Sequence, residues 1–238
     1  MVKLNKINID KELIEFKESG NYVIEFDNIK NVEIVISNDL EVNIFYISNS
    51  MIVDRNINYR VLDNSKLVVN KFYNNKNSTE NIYINLDGFR SSVEYYFSGI
   101  SVSMDKYNMI INHNNKLVSS EIINHMIAMD NASIEFNIDS NVDYGNSGTI
   151  MNQSTKIINL GENRSVIKPN MNISEYDVKA KHGSVVGKFR EEDIFYLLSR
   201  GISYNDSLKL LIKGFLLGEY KDKEFCDKIN LIIDKYWR

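Results

Sequence analysis

Lys168-Pro169-Asn170-Met171-Asn172-Ile173-Ser174-Glu175-Tyr176-Asp177-Val178-Lys179-Ala180-Lys181-His182-Gly183-Ser184-Val185-Val186-Gly187 stands at a seam in the chain. Upstream of it apolar residues alternate with polar ones, as in Val32, Ile34, Ile36; Ile82, Ile84, Leu86; Val93, Tyr95, Phe97; and Ile134, Phe136, Ile138. Residues two apart share one face of a strand, so these runs predict strands that bury one side. Downstream, after about Lys188, the spacing turns helical. Asparagine follows the same boundary: it is dense from Asn5 to Asn172, and afterwards only Asn205 and Asn230 occur. The seam divides a β core over 1–188 from a helical subdomain over 189–238.

Turn formers separate the strands: Asn74-Asn75, Asp87-Gly88, Asn114-Asn115 and Asp143-Tyr144-Gly145. Asparagine tolerates left-handed backbone and bonds its own backbone, which suits corners. Short strands at this spacing fit a sandwich, a barrel or a stacked solenoid. A parallel solenoid could stack asparagine at its corners, but no repeat of fixed length stands out. Three helices are expected beyond the seam. Glu191-Glu192-Asp193 place negative charge in a first turn, Ile194, Leu197 and Leu198 form a stripe, and Gly201 stops it. Ser203 to Asp206 opens a second helix with Leu208, Leu211, Ile212 and Phe215 on one face. Phe225, Ile229, Ile232, Ile233 and Tyr236 form the third stripe.

Composition excludes several classes. Among 238 residues, 43% are hydrophobic and 25% charged, which is globular usage rather than disorder. A net charge of −4 supplies no general attraction to nucleic acid or to an anionic membrane. The single cysteine, Cys226, excludes a disulfide framework, a CxxC zinc site and a cluster held by four thiolates of one chain. The polar start and the short apolar runs predict neither export nor a membrane span, and hence the cytoplasm. Phosphate-loop, dinucleotide, HExxH and GxSxG signatures are absent. His113 reads as a solvated turn residue in Asn112-His113-Asn114-Asn115. His125, in an apolar run, reads as a satisfied, partly buried histidine, and Cys226 as a small hydrophobe on the third stripe. His182-Gly183 sets a metal-competent ring beside a residue that permits close backbone approach. On residue type alone it is either a functional corner or a tight turn into the helices.

The seam stretch resembles the SufB/SufD family of iron–sulfur cluster assembly proteins in its SufD-like form. The resemblance rests on Asp177 to Gly187, on Glu191 to Ile202, on Leu210 to Phe215, and on Asn152-Gln153 with Lys168 to Ile173. It implies a right-handed parallel β-helix with a small C-terminal helical cap, here without the family's long N-terminal helical region. It also implies a non-enzymatic scaffold that dimerises through its β-helix, with a SufB-like chain or with itself, and docks a SufC-type ABC ATPase through its C-terminal helices. His182 matches the family's proposed cluster or iron ligand at the dimer interface. Phe195, Tyr196, Arg200, Leu211 and Phe215 are the expected partner-binding residues. The acceptor cysteine of SufB-like chains would fall around Gly161-Glu162-Asn163-Arg164, where no cysteine occurs. A thiolate is the soft nucleophile that accepts sulfur. This chain alone should therefore bind no cofactor, and a transient cluster would be shared with a partner chain that brings the thiolates. Two other readings are a cytoplasmic β-helix interaction module without a cluster role and a carbohydrate-binding β-helix.

Overall fold

The alternating runs close into a parallel solenoid. A computed structural model describes residues 4–26, 29–49, 52–162 and 164–236. Strands are numbered in chain order, and successive strands go to opposite sheets. One sheet takes β1 (Leu4–Ile9), β3 (Gly20–Phe26), β5 (Glu41–Ser48), β7 (Lys66–Asn75), β9 (Ser92–Ser101), β11 (Ser119–Ala128), β13 (Thr149–Asn159) and β15 (Val178–Gly187). The other takes β2 (Leu13–Phe16), β4 (Asn31–Ile36), β6 (Asp54–Val61), β8 (Thr79–Leu86), β10 (Met104–His113), β12 (Ser133–Val142) and β14 (Val166–Ile173). Every strand pairs in parallel with the strand two further on, so each coil lies on the one before it.

The repeat escapes the sequence because the coils lengthen. Leu4 pairs with Asn21, 17 residues on, Lys66 pairs with Ser92, 26 on, and Ser119 pairs with Ile150, 31 on. Strand lengths adapt and the corners absorb the rest. One corner column holds a left-handed residue in each coil, Asp39, Asn64, Arg90 and Leu117, with φ between 54° and 61°. Each of these amides donates to a carbonyl of the next coil, as in Asn64 N to Phe89 O at 2.8 Å. Asn77 and Asn131 are left-handed as well. Gly88 has a different cause: a Cβ there would sit 2.0 Å from the Leu62 carbonyl carbon, so the corner admits no side chain.

Most strand asparagines lie outside the corners, contrary to expectation. They form two ladders on the outer face of the second sheet. Asn56, Asn81, Asn108 and Asn137 each donate Nδ2 to the Oδ1 of the preceding coil, starting at Asn31, at 2.6–2.7 Å. Asn85, Asn112, Asn141 and Asn172 continue a second ladder from Asn58. An outward position repeated in register is where an amide satisfies itself against its copy. Asn74-Asn75 is likewise no turn: it ends β7, and Asn75 Oδ1 accepts from the buried Ser48.

The inner faces of both sheets make one core, with Phe97, Tyr107 and Phe136 packed ring to ring. Three helices follow, α1 (Glu191–Ser199), α2 (Tyr204–Leu217) and α3 (Lys223–Tyr236), and the last two build a second core on the outer face of the first sheet. Phe45, Phe72, Tyr96, Ile100 and Ile127 meet Ile212, Leu216, Phe225, Ile229 and Ile233 there. The helical region thus flanks the solenoid. Ser203 caps α2 by accepting from Asp206 N, and Gly201 (φ 83°) ends the segment after α1. No described helix is long and apolar enough to cross a membrane.

Candidate functional site

In a stacked solenoid each coil covers the inward side chains of its neighbour, so the last coil is the exposed one. The inward residues of β13, Thr149, Met151, Gln153, Thr155 and Ile157, are buried. Their register partners on β15 are Val178, Ala180, His182, Ser184 and Val186, and all but the half-buried Val178 are exposed. Across the lumen β14 aligns Ile167, Pro169, Met171 and Ile173 with the inward residues of β12. Val186 and Ile173 are 41% and 40% exposed. These positions continue core columns yet face open space at the end of the coil. His182 stands in the middle of its row, between Ala180 and Ser184. The outward positions carry Lys179 and Lys181, and Lys168, which pairs with Glu135 of β12 at 3.0 Å; neither strand itself contains a carboxylate. The open end is an apolar face with a histidine at its centre and a basic rim.

The second exposed feature is α1, which has no buried residue. Arg190 ends the preceding segment and clamps Asp193 through Nε at 3.0 Å and Nη2 at 2.7 Å, holding that carboxyl below its usual range. This ties down the first turn while the apolar side faces out. Phe195 and Tyr196 are 71% and 57% exposed. The Arg200 guanidinium lies 5.3 Å from the Tyr196 ring centroid, a cation–π contact at the helix end. Glu191, Glu192, Ile194, Phe195, Leu198 and Tyr204 line a groove of about 600 Å³.

The expected partner-binding residues divide. Phe195, Tyr196 and Arg200 are exposed together on and after α1, and Leu211 is half-buried on α2. Phe215 turns inward: its ring stacks on His125 at 4.6 Å and meets Phe189 edge-on. His125 Nδ1 also reaches the Phe215 carbonyl at 3.0 Å, so this pair fastens α2 to the sheet. Tyr220 adds a second fastening, accepting from Ser98 N at 2.9 Å while its own hydroxyl donates to the Lys71 carbonyl. Leu198, Tyr204 and the paired Glu191 and Glu192 complete the α1 groove. Leu198 shares the stripe of Ile194 and Leu197 yet is exposed, because periodicity defines a face without saying what covers it.

His113 departs from the expected solvated turn residue, whereas Cys226 packs as the expected small hydrophobe. His113 is a core residue: it ends β10 on the inward phase set by Tyr107, Met109 and Ile111, and the turn begins one residue later. Its Nδ1–H donates to Asn141 O at 3.0 Å, and its Nε2 accepts from Ser120 Oγ at 2.8 Å. A carbonyl can only accept, which fixes the tautomer, and burial pulls the ring down to about 4. Cys226 is half-buried on α3, with Sγ 3.8 Å from Tyr220 O, and burial pushes its thiol up. His125 is satisfied and largely buried, as expected. Of the acceptor-cysteine region, Asn163 lies outside the described residues.

Among known families, the model of the SUF system FeS cluster assembly SufBD core domain matches residues 15–215. The iron–sulfur cluster assembly protein SufD of Bacillus subtilis is 30% identical over 140 residues, which cover 58% of this chain and 32% of the relative. SufD of Escherichia coli is 32% identical over 106 residues, 44% of this chain and 25% of the relative. A SufBD family protein of Pyrococcus horikoshii is 38% identical over 60 residues, 24% of this chain and 14% of the relative. The matched region thus spans about a third or less of these relatives.

Proposed function

The chain belongs to the SufB/SufD family of iron–sulfur cluster assembly, and we propose that it acts there as a non-enzymatic scaffold. It pairs through its open solenoid end and docks a SufC-type ABC ATPase through α1. The observation that carries this reading is the uncovered last coil, where core-type residues surround an exposed His182. An exposed strand edge beside an apolar face invites a second sheet. A second copy would bring Lys179 and Lys181 against their own likeness, so a related chain with carboxylates at that edge is the better partner. Such a partner must also bring the thiolates, because Cys226 lies on α3, behind the first sheet, and not at the open end. A cluster assembled at the face is cargo: His182 supplies one imidazole, and the partner supplies sulfur ligands.

The ATPase contact rests on exposed aromatics at α1, a helix with no buried residue. Aromatic and arginine anchors carry much of the energy of an interface. Phe195→Asp combined with Tyr196→Ala should weaken capture of a SufC-type ATPase at least about tenfold. Thermal unfolding should not change, because both side chains are exposed. Capture of the ATPase at wild-type strength by this variant would overturn the docking surface.

A further inference from the structure

The coil beneath the open end differs from those before it. One inward column runs Tyr22, Ile44, Val69, Tyr95 and Ile122 in register, and then continues as Gln153 and His182. Gln153 is 2% exposed. Its Oε1 accepts from Ser140 Oγ at 3.1 Å across the lumen, and its Nε2 has no hydrogen-bond partner among the described residues. A buried amide with half its capacity unused is costly, and something next to it is expected to use it. Neighbouring strands lie about 4.8 Å apart, so the group one rung above Gln153 in the same column is the His182 ring.

We propose that Gln153 is the positioning residue of His182. The Ser140 hydroxyl can donate or accept, so the Gln153 amide can turn over. Nε2 then donates to Ser140 Oγ, and Oε1 accepts from a ring N–H of His182. This holds one ring nitrogen protonated and leaves the lone pair of the other free for a metal such as ferrous iron, or for a donor on the facing chain. Gln153 touches no ligand itself and acts through the ring. The inference rests on reading the open end as the histidine-bearing face, and its test uses the chain alone so that it stands apart from partner docking.

Long-range ¹H–¹⁵N spectra of the full chain, labelled at histidine, read the tautomer of all three rings. His113 and His125, whose Nδ1 atoms are tied to carbonyls, serve as internal references. Gln153→Leu is expected to move the His182 shifts toward the tautomer mixture of free histidine and to leave the other two unchanged. Gln153→Glu keeps an acceptor and is expected to retain the wild-type tautomer. Ser140→Ala unties the amide without changing the residue below the ring, and should shift His182 in the same direction by less. If Gln153→Leu does not fold, Ser140→Ala decides. Unchanged His182 shifts in the variants that fold overturn the proposal. Wild-type capture of the ATPase by the Phe195→Asp, Tyr196→Ala variant, with the tautomer effect intact, would remove the docking reading and leave this one standing.

Discussion

Lys71 and Glu80 face each other inside the solenoid, both essentially without exposed surface, and Tyr73 also donates to the Glu80 carboxylate. Burial pulls the Lys71 ammonium down to about 8, while the carboxylate works against that shift. A buried pair adds little net stability, but breaking it strands a charge. Glu80→Leu is therefore expected to cost about 3–5 kcal/mol in urea unfolding, and Lys71→Met with Glu80→Leu much less; a double variant as unstable as the single one refutes this. His113 carries a pH dependence. Its ring titrates near 4 when folded and near 6.5 when unfolded, so between those values the unfolded chain binds more protons. Stability should fall by up to about 3 kcal/mol as pH drops from 6.5 to 4. The lowered His125 adds to the same slope. His113→Gln should flatten the slope in denaturant unfolding across that range. Neither feature was legible in the sequence. His113 sits beside two asparagines that do turn, and Lys71 and Glu80 join strands of opposite sheets whose facing depends on the closure of a coil.

At the level of elements, the alternation marked which side of each strand is buried, and the helical stripes and stops located α1, α2 and α3. What covers each face came from packing. Phe215 shares a stripe with Leu211, yet it anchors α2 through His125, so Phe215→Asp should detach the helices from the sheet rather than test a partner contact. The asparagine ladders show the same limit, since an outward polar position reads as solvated until its copies stack at one-rung spacing. Asn108→Ala removes a bond on each side of its ladder and should cost about 1–3 kcal/mol. Asn31→Ala, at the exposed ladder end, should cost a fraction of that. Urea midpoints compare the two, and equal costs would mean that the ladder adds nothing beyond solvation.

At the level of the whole molecule, the pairing proposed for the open end predicts how the chain associates. Val186→Asp with Ile173→Asp places carboxylates on the apolar face and should leave a folded monomer in sedimentation velocity, whatever partner the wild-type chain takes. Salt separates the partners. Raising it should strengthen self-association by screening the lysine rims, and weaken pairing with a chain that presents carboxylates there. Identical salt trends for both would remove the charge argument.

By itself the sequence determined the period-two strands, the three helices, the absence of a thiolate set and, through Asp177 to Gly187 and the helices after it, the family. Stacking decided the rest. Register between coils depends on corners whose length drifts along the chain, so no fixed repeat announces which strands pair. Only closure of each coil brings Lys71 to Glu80 and Ser140 to Gln153, and only the absence of a following coil among the described residues leaves His182 on an open face. Local patterning acts over a few residues through the pleat and the helical turn, whereas these contacts depend on how whole coils add up.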